Sequence, residues 1–554
     1  MLPPGVSSND FELALAAFKD AVGESQVYTS DADVALYRDA YDVLWGLPGE
    51  RHVSAAVAPA TVEQVQKVVV AANRYRIPIY PISTGMDLGY GGSAGNLSGS
   101  VVLDLKRMNK VIEVDDRRHF AIVEPGVSYF DLYRYIQERE LKVFIDCPDP
   151  GWGSPVGNSL DHGVGYTWYS YRDHFNSHCG MEVVLPNGEL IRTGMGALPG
   201  SKTWAEYRYG VGPWVDGLFA QSNFGVVTKM GFHLFPAPEA YRSGTVFVPK
   251  RLDLIRLVQE VNYLEHSGII SQPEYGSPLR ALVDEPAVQS MLKKPGGPTD
   301  GELDELASQH RLASWSCTLQ FFGSLETTQA NWNYCKQRLQ AAIATATFKD
   351  GVTHRFPLGM DEKAQVPHKP SLGIPNLEAF RGRSPRNPRP TEGHVWFAPV
   401  IPKTGEAVLE AQRAFGEAVR GLGALDLPTF FGRGGTAYSP FDAPATWMFR
   451  AFVFLSGWSA SRSDPQQNKK VYEIVSKLIQ VAADHGWGEY RTPPAFQDAV
   501  LKAYSFNNYS LLRFQQQLKD AADPNGILSA GRYGLWPRHM RQIDGLWPAQ
   551  RPST

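Results

Sequence analysis

Apolar residues recur at helical spacing at Val62, Val65, Val69 and Ala72, so residues 61–75 read as an amphipathic helix. Thr61, with Gln64 three residues on, is a capping-box signature at its start. The apolar run Ile77-Pro78-Ile79-Tyr80-Pro81-Ile82 follows, and its two prolines confine it to a short or edge strand. The most glycine-dense stretch of the chain comes next: Gly85, Gly89, Gly91, Gly92 and Gly95. Val101–Leu105 and Ala121–Glu124 are buried-strand candidates, and Ser128 is placed to cap a helix through Leu132, Tyr135 and Ile136. Strand-like and helix-like segments alternate through Glu182–Leu185, the turn Pro186-Asn187-Gly188 and Val226–Lys229. Near residue 240 the texture changes. Residues 250–355 hold helical patterns and polar stretches, including the loop Lys293–Pro298. Residues 365–392 are rich in Pro, Arg and Gly and read as a long surface excursion. His394–Pro399 reads as a strand and Glu406–Gly421 as a helix; no repeat stands out. The pattern predicts an α+β protein with an N-terminal nucleotide-binding half and a later domain that supplies a cap.

Bulk properties narrow the classes. A chain of 554 residues exceeds one simple core, so two or three domains are expected. Hydrophobic residues at 43% and charged residues at 20% are ordinary for a globular protein. A net charge of −3 without a long Lys/Arg run leaves no electrostatic footprint for nucleic acid. No apolar run approaches the ~18 residues that cross a bilayer. Met1-Leu2-Pro3-Pro4-Gly5 lacks the basic and apolar regions of a secretory signal, so secretion is disfavoured. Cys147, Cys179, Cys317 and Cys335 form no CxxC pair, which suits reduced thiols in a cytoplasmic enzyme. Arg551-Pro552-Ser553-Thr554 is no peroxisomal tripeptide.

Several segments carry candidate chemistry. Ser83-Thr84-Gly85-Met86-Asp87-Leu88-Gly89-Tyr90-Gly91-Gly92, following a strand, could wrap backbone N–H groups around a phosphate. It has no Gly-Lys-Ser/Thr ending and does not fit GxGxxG, so spacing alone leaves a phosphate cradle and a plain surface loop both open. His174 and His178, four apart, would share a helix face, but no Glu completes HExxH and no third ligand is marked, so no metal is expected. His394 shares one face of its strand with Trp396 and Ala398, where a histidine is either structural or functional.

The glycine loop, Glu124-Pro125-Gly126-Val127, Pro148-Asp149, Gly157-Asn158, Gly163–Tyr166, Gly180–Leu185, Arg192–Ala197, Gly210–Lys229, Gly393–Pro399, Gly486–Thr492 and the stretch from Asp523-Pro524-Asn525-Gly526 through Pro537 together resemble, in order, the vanillyl-alcohol oxidase family of flavoproteins. The resemblance implies a two-subdomain FAD-binding domain, residues 1–240 and 488–554, and an α+β cap with an antiparallel sheet, residues 241–487. It implies FAD held by Ser83, Thr84, Gly85, Met86, Asp87, Leu88, Gly89, Ser154, Gly157, Asn158, Gly165, Val227 and Arg532, and bonded through its 8α-carbon to His394. One branch of the family tethers its flavin through a tyrosine instead. Such a bond withdraws electron density and raises the flavin potential. Tyr90, Tyr490 and Arg491 would hold a phenolate, Asp149 would act as base, and Tyr166, Trp396 and Phe430 would line the substrate pocket. One position departs from the family: Arg-Asn is common there where this chain has Met86-Asp87, and a carboxylate beside a pyrophosphate is repulsive unless it points away or is compensated.

The implied activity is oxidation of para-substituted phenols such as vanillyl alcohol, eugenol-like allylphenols and 4-alkylphenols, through a quinone methide, with O2 reduced to H2O2. A cytochrome-coupled dehydrogenase is the alternative, and a flavin-fold protein that binds an aromatic ligand without turning it over is a second rival. A homodimer or larger assembly is the family expectation.

Overall fold

A computed structural model describes residues 1–39, 41–377, 392–427, 429 and 438–542. Three sheets organise the chain. In the first, the strand Val53–Val57 lies between Val27–Tyr28 and Ser100–Asp104, and Ile79–Ile82 pairs parallel with Ser100–Asp104 at the edge. The two prolines of 77–82 are tolerated because an edge strand needs donors on one side only. The helix Val62–Tyr75 covers this sheet through Val65, Val68, Val69 and Ala72, all fully buried. Its cap differs in one detail from the expected box. Thr61 accepts from the Gln64 amide, whereas the Gln64 side chain reaches past it to the amide of Ala60 (2.7 Å).

The second sheet is antiparallel, in the order Val111–Asp115, Phe120–Val123, Val226–His233, His178–Val184 and Leu190–Arg192. Ser128 and Asp131 form a full capping box on the helix Tyr129–Glu138, which buries Tyr129, Leu132 and Ile136 against this sheet. The third sheet is also antiparallel, with Glu274–Gly276, Trp315–Gly323, Ala240–Val248 and Thr347–Arg355 in that order. Residues 347–355 read only as polar in sequence. They are an exposed edge strand held by backbone pairing, so they need no apolar alternation.

Helices Asp253–His266, Leu325–Ala342, Gly405–Gly421 and Pro465–Asp484 pack with the third sheet into the largest core, around Trp315, Phe321, Trp332, Phe415 and Trp458. The strand Glu392–Phe397 pairs with Ser456–Ser461 and contributes Val395 and Phe397 to that core. The C-terminal stretch then returns to the first sheet. Ile79 donates to the carbonyl of Ile527 (2.7 Å), Ser529 donates to that of Ile79 (2.8 Å), and Ile527 and Leu528 join the N-terminal core.

Part of the expected surface excursion is instead buried. Val366, Leu372 and Ile374 pack on Phe144, Tyr241 and Phe322, so residues 366–376 form a strap held by its few apolar side chains. No helix among the described residues is long and apolar enough to cross a membrane.

Candidate active site

The glycine loop leaves the edge strand Ile79–Ile82 at its C-terminal end and lines a cavity of about 300 Å³. The short helix Pro155–Leu160 lies directly against it: a Cβ on Gly157 would fall 2.1 Å from Ser83 Oγ, so only glycine permits the approach. Ser154 caps this helix and donates to the carbonyl of Pro125 (2.6 Å). The loop's other side is docked on the strand that carries His394. Trp396 donates from its amide to Gly89 (3.1 Å) and from its indole to Leu88 (3.1 Å). A Cβ on Gly89, whose φ is +83°, would lie 2.6 Å from Trp396 Cδ1 and 2.8 Å from His394 Cδ2.

Of the residues expected to hold the cofactor, Ser83, Thr84, Gly85, Met86, Asp87, Leu88, Ser154, Gly157, Asn158, Val227 and Arg532 line this cavity. Gly89 and His394 stand just behind its wall, in contact with each other. Gly165 is also off the wall, pressed on the Asp146 carboxylate. Tyr90, Asp149, Tyr166, Trp396, Tyr490 and Arg491 line the same space. Phe430 lies outside the described residues. His394 is buried with its ring 4.5 Å from Trp396 and 4.8 Å from Tyr41, centroid to centroid. Burial pulls its pKa down to about 3, so the imidazole is neutral at physiological pH.

At one end Arg491 lies over the Tyr90 ring, 4.1 Å from its centroid, and Tyr490 meets Tyr90 edge-on. Among the described residues, neither the Tyr90 hydroxyl nor Nε and Nη1 of buried Arg491 has a hydrogen-bond partner. Tyr490 differs: its hydroxyl donates to the carbonyl of His162. Two buried cations dominate this end. Arg532 Nη2 meets Asp161 Oδ1 at 2.6 Å, and Arg491 Nη1 lies 3.5 Å from Asp87 and 3.7 Å from Asp161.

Asp87 and Asp161 are neighbouring carboxyls at this end. Burial, partly opposed by Arg491, pushes Asp87 well above the usual carboxylate range. Asp161 is held below that range by Arg532 and Arg491 despite its burial. Two guanidiniums thus face Asp161 and a carboxyl whose charged form is disfavoured, which tips this end toward positive charge. The repulsion expected of Asp87 is eased by that upward shift and by Arg491 beside it. Asp161 was not legible as a site residue. It lies between Gly157-Asn158 and Gly163, and only its position inside that matching stretch could have marked it.

The two histidines weighed as a metal pair turn to different carboxylates. His174 Nε2 meets Asp146 at 2.8 Å, and His178 Nε2 meets Asp216 at 3.0 Å.

An anion-seeking glycine loop, a neutral buried histidine behind it and a cationic cavity end are the features of an FAD-dependent oxidoreductase. A family model described as FAD binding domain matches residues 53–194. The chain is 33% identical over 543 residues, 97% of its length and 98% of the relative's, to the 4-cresol dehydrogenase [hydroxylating] flavoprotein subunit of Pseudomonas putida. Among solved structures, 4-ethylphenol oxidase from Gulosibacter chungangensis, in an isoeugenol complex, matches with a TM-score of 0.80 at 31% identity, covering 98% of this chain and 100% of that one. Substrate-bound p-cresol methylhydroxylase matches with a TM-score of 0.80 at 30% identity, covering 97% and 99%. The chain belongs to the vanillyl-alcohol oxidase/p-cresol methylhydroxylase family of flavoproteins.

Proposed function

We propose that this protein oxidises para-substituted phenols at the carbon attached para to the hydroxyl, using FAD bonded to His394 and O2 as electron acceptor. The observation that carries this reading is the set of donors without a hydrogen-bond partner among the described residues, Tyr90 Oη and Arg491 Nε and Nη1, on the wall of one cavity. The carboxylates beside Arg491 stand 3.5 and 3.7 Å away. A buried donor left without a hydrogen bond costs roughly 1–3 kcal/mol unless a ligand meets it, and a phenolate oxygen is an anion of suitable size. A free phenol has a pKa of about 10, so a permanent cation is needed to hold it ionised at neutral pH. The names of the two solved relatives, both enzymes of 4-alkylated phenols, support the same substrate class.

When bound, FAD supplies a two-electron acceptor for the hydride that leaves the side-chain carbon attached at the para position. Tyr90 and Arg491 bind and ionise the phenol, and the aromatic walls Trp396, Tyr166 and Trp447 orient its ring. Asp149 faces the resulting quinone methide and takes the proton of the water that adds to it. For 4-methylphenol the balance is substrate, water and O2 giving 4-hydroxybenzyl alcohol and H2O2. Arg532, on the cavity wall at its cationic end, would favour an anionic reduced flavin ring through its fixed positive charge. The same reading divides the chain at about residues 240 and 488 into a discontinuous FAD domain and a cap, with assembly as a homodimer or larger oligomer.

Anaerobic mixing with vanillyl alcohol is expected to bleach the flavin absorbance; an unchanged spectrum leaves only a binding protein. Oxygen uptake with substrate and no added acceptor separates an oxidase from a cytochrome-coupled dehydrogenase. Acid precipitation should leave the yellow colour with the wild-type protein and release it from His394→Ala. Colour released from the wild type refutes the covalent link.

A further inference from the structure

The strap 366–376 packs on the turn Pro148–Gly151, whose Pro148, Asp149 and Pro150 line the cavity. The Gly151 amide donates to the carbonyl of Asn376 (2.9 Å), and a Cβ on Gly151 would lie 2.6 Å from Pro375 Cβ. On this strap His368 lies edge-on to Tyr166, with ring centroids 4.6 Å apart. Its Nε2 is 3.7 Å from Asp149 Oδ2, and its Nδ1 is 2.7 Å from Ser371 Oγ. Asp149 and Tyr166 line the cavity, whereas the His368 side chain keeps 32% of its surface in solvent against 17% for Asp149. Among the described residues, Asp149 and Tyr166 are the titratable side chains in contact with the His368 ring from the elements packed against it. The imidazole therefore bridges the cavity's carboxylate and bulk water.

We propose that His368 is the proton outlet of Asp149. The step rests on the functional reading above. As the water oxygen bonds to the exocyclic carbon of the quinone methide, that C=C electron pair returns to the ring and restores the phenolate, and the water's proton passes to Asp149. Asp149 hands this proton on to His368 as the water bonds, so hydration itself draws on the relay. With Nδ1–H donating to Ser371 Oγ, the lone pair of Nε2 faces Asp149, and about 0.7 Å of side-chain movement brings the two into hydrogen-bonding range. His368 takes the proton at Nε2, and a swing of the partly exposed side chain turns that N–H to solvent, where the proton is released. An imidazole suits this role because a ring nitrogen can both accept and donate a proton.

The test uses FAD-loaded protein and 4-methylphenol, whose quinone methide can only be hydrated. Anaerobic flavin bleaching is followed beside formation of 4-hydroxybenzyl alcohol in quenched flow. In His368→Ala, bleaching should stay within about twofold of wild type while hydration slows about tenfold, a loss within the range of a general acid–base group. Added imidazole should restore part of that loss. His368→Gln keeps a hydrogen-bonding partner for Ser371 but cannot shuttle a proton. It should show the same defect without imidazole rescue, and it decides the matter if the alanine variant does not fold. Hydration as fast as wild type in either variant overturns the proposal. So does equal slowing of bleaching and hydration, which marks a merely structural role. If the wild type is not bleached at all, the substrate reading fails, and the proton outlet falls with it.

Discussion

Arg491 and Glu489, two residues apart, face different problems of burial. Arg491 stays charged because Asp87 and Asp161 stand beside it against the cost of desolvation. Its Nε and Nη1 have no hydrogen-bond partner among the described residues. Arg491→Met keeps the volume and removes the charge. It should lower kcat/KM for 4-alkylphenols about 100- to 1,000-fold, in line with loss of a preorganised charge partner. The pH optimum should move upward, because the substrate must then ionise without help; steady-state profiles across pH check both. Glu489 accepts from the Ala398 amide (3.0 Å), and burial raises its pKa from 4.5 to about 8. A carboxyl with a raised folded pKa stabilises the protein below its unfolded value and loses that contribution as pH climbs from about 4.5 to about 8. Glu489→Gln should remove this loss, on the order of 3–5 kcal/mol for a fully buried group. Thermal melts of both proteins from pH 5 to 8.5 should therefore diverge, with the variant flatter and more stable at the alkaline end.

At the scale of elements, a buried ion cluster ties the wall of the cavity to a neighbouring helix. Glu265, on the helix Asp253–His266, binds Arg172 through one oxygen and Lys403 (2.5 Å) through the other. Arg172 also donates to the carbonyl of Trp447 (3.0 Å), and Lys403 donates to that of Phe449 (2.9 Å). The segment carrying Trp447, which lines the cavity, is thereby fixed from behind. Glu265→Ala would leave two buried cations uncompensated and should cost about 3–5 kcal/mol, read as a fall in urea midpoint. A drop below about 1 kcal/mol would mean that water reaches the cluster and screens it. Most individual elements were legible in sequence. The helices after Thr61 and Ser128, and the strands near 101, 121, 182, 226 and 394, announce themselves by periodicity and caps. The strand Thr347–Arg355 and the strap 366–376 did not. One is held by backbone pairing under polar side chains, and the other by a few apolar residues among prolines and polar positions.

For the molecule as a whole, the cavity closes only when distant ends of the chain meet. Ser529 and Arg532 line it beside the glycine loop, and Ile527 and Leu528 fill the core beneath the first sheet. Truncation before Asp523 would also strip Lys519, which is buried, of its carboxylate partner at 2.6 Å. The shortened chain should retain no FAD and should sediment as aggregate, whereas a cut after Gln542 removes only residues beyond the described structure and should leave a yellow protein. Size-exclusion chromatography with flavin absorbance distinguishes the two.

The chain by itself determined the secondary elements, the glycine loop, the histidine strand and the pair Tyr490-Arg491, because caps, periodicity and ordered motifs are encoded within a few neighbouring residues. The tertiary structure alone decided that Asp87 lies beside Arg491, that the Tyr490 hydroxyl turns to His162, and that His368 stands at Asp149. Those outcomes depend on which segments exclude water from one another. Burial and long-range charge contact set both the protonation and the direction of a side chain, and neither is written in local spacing.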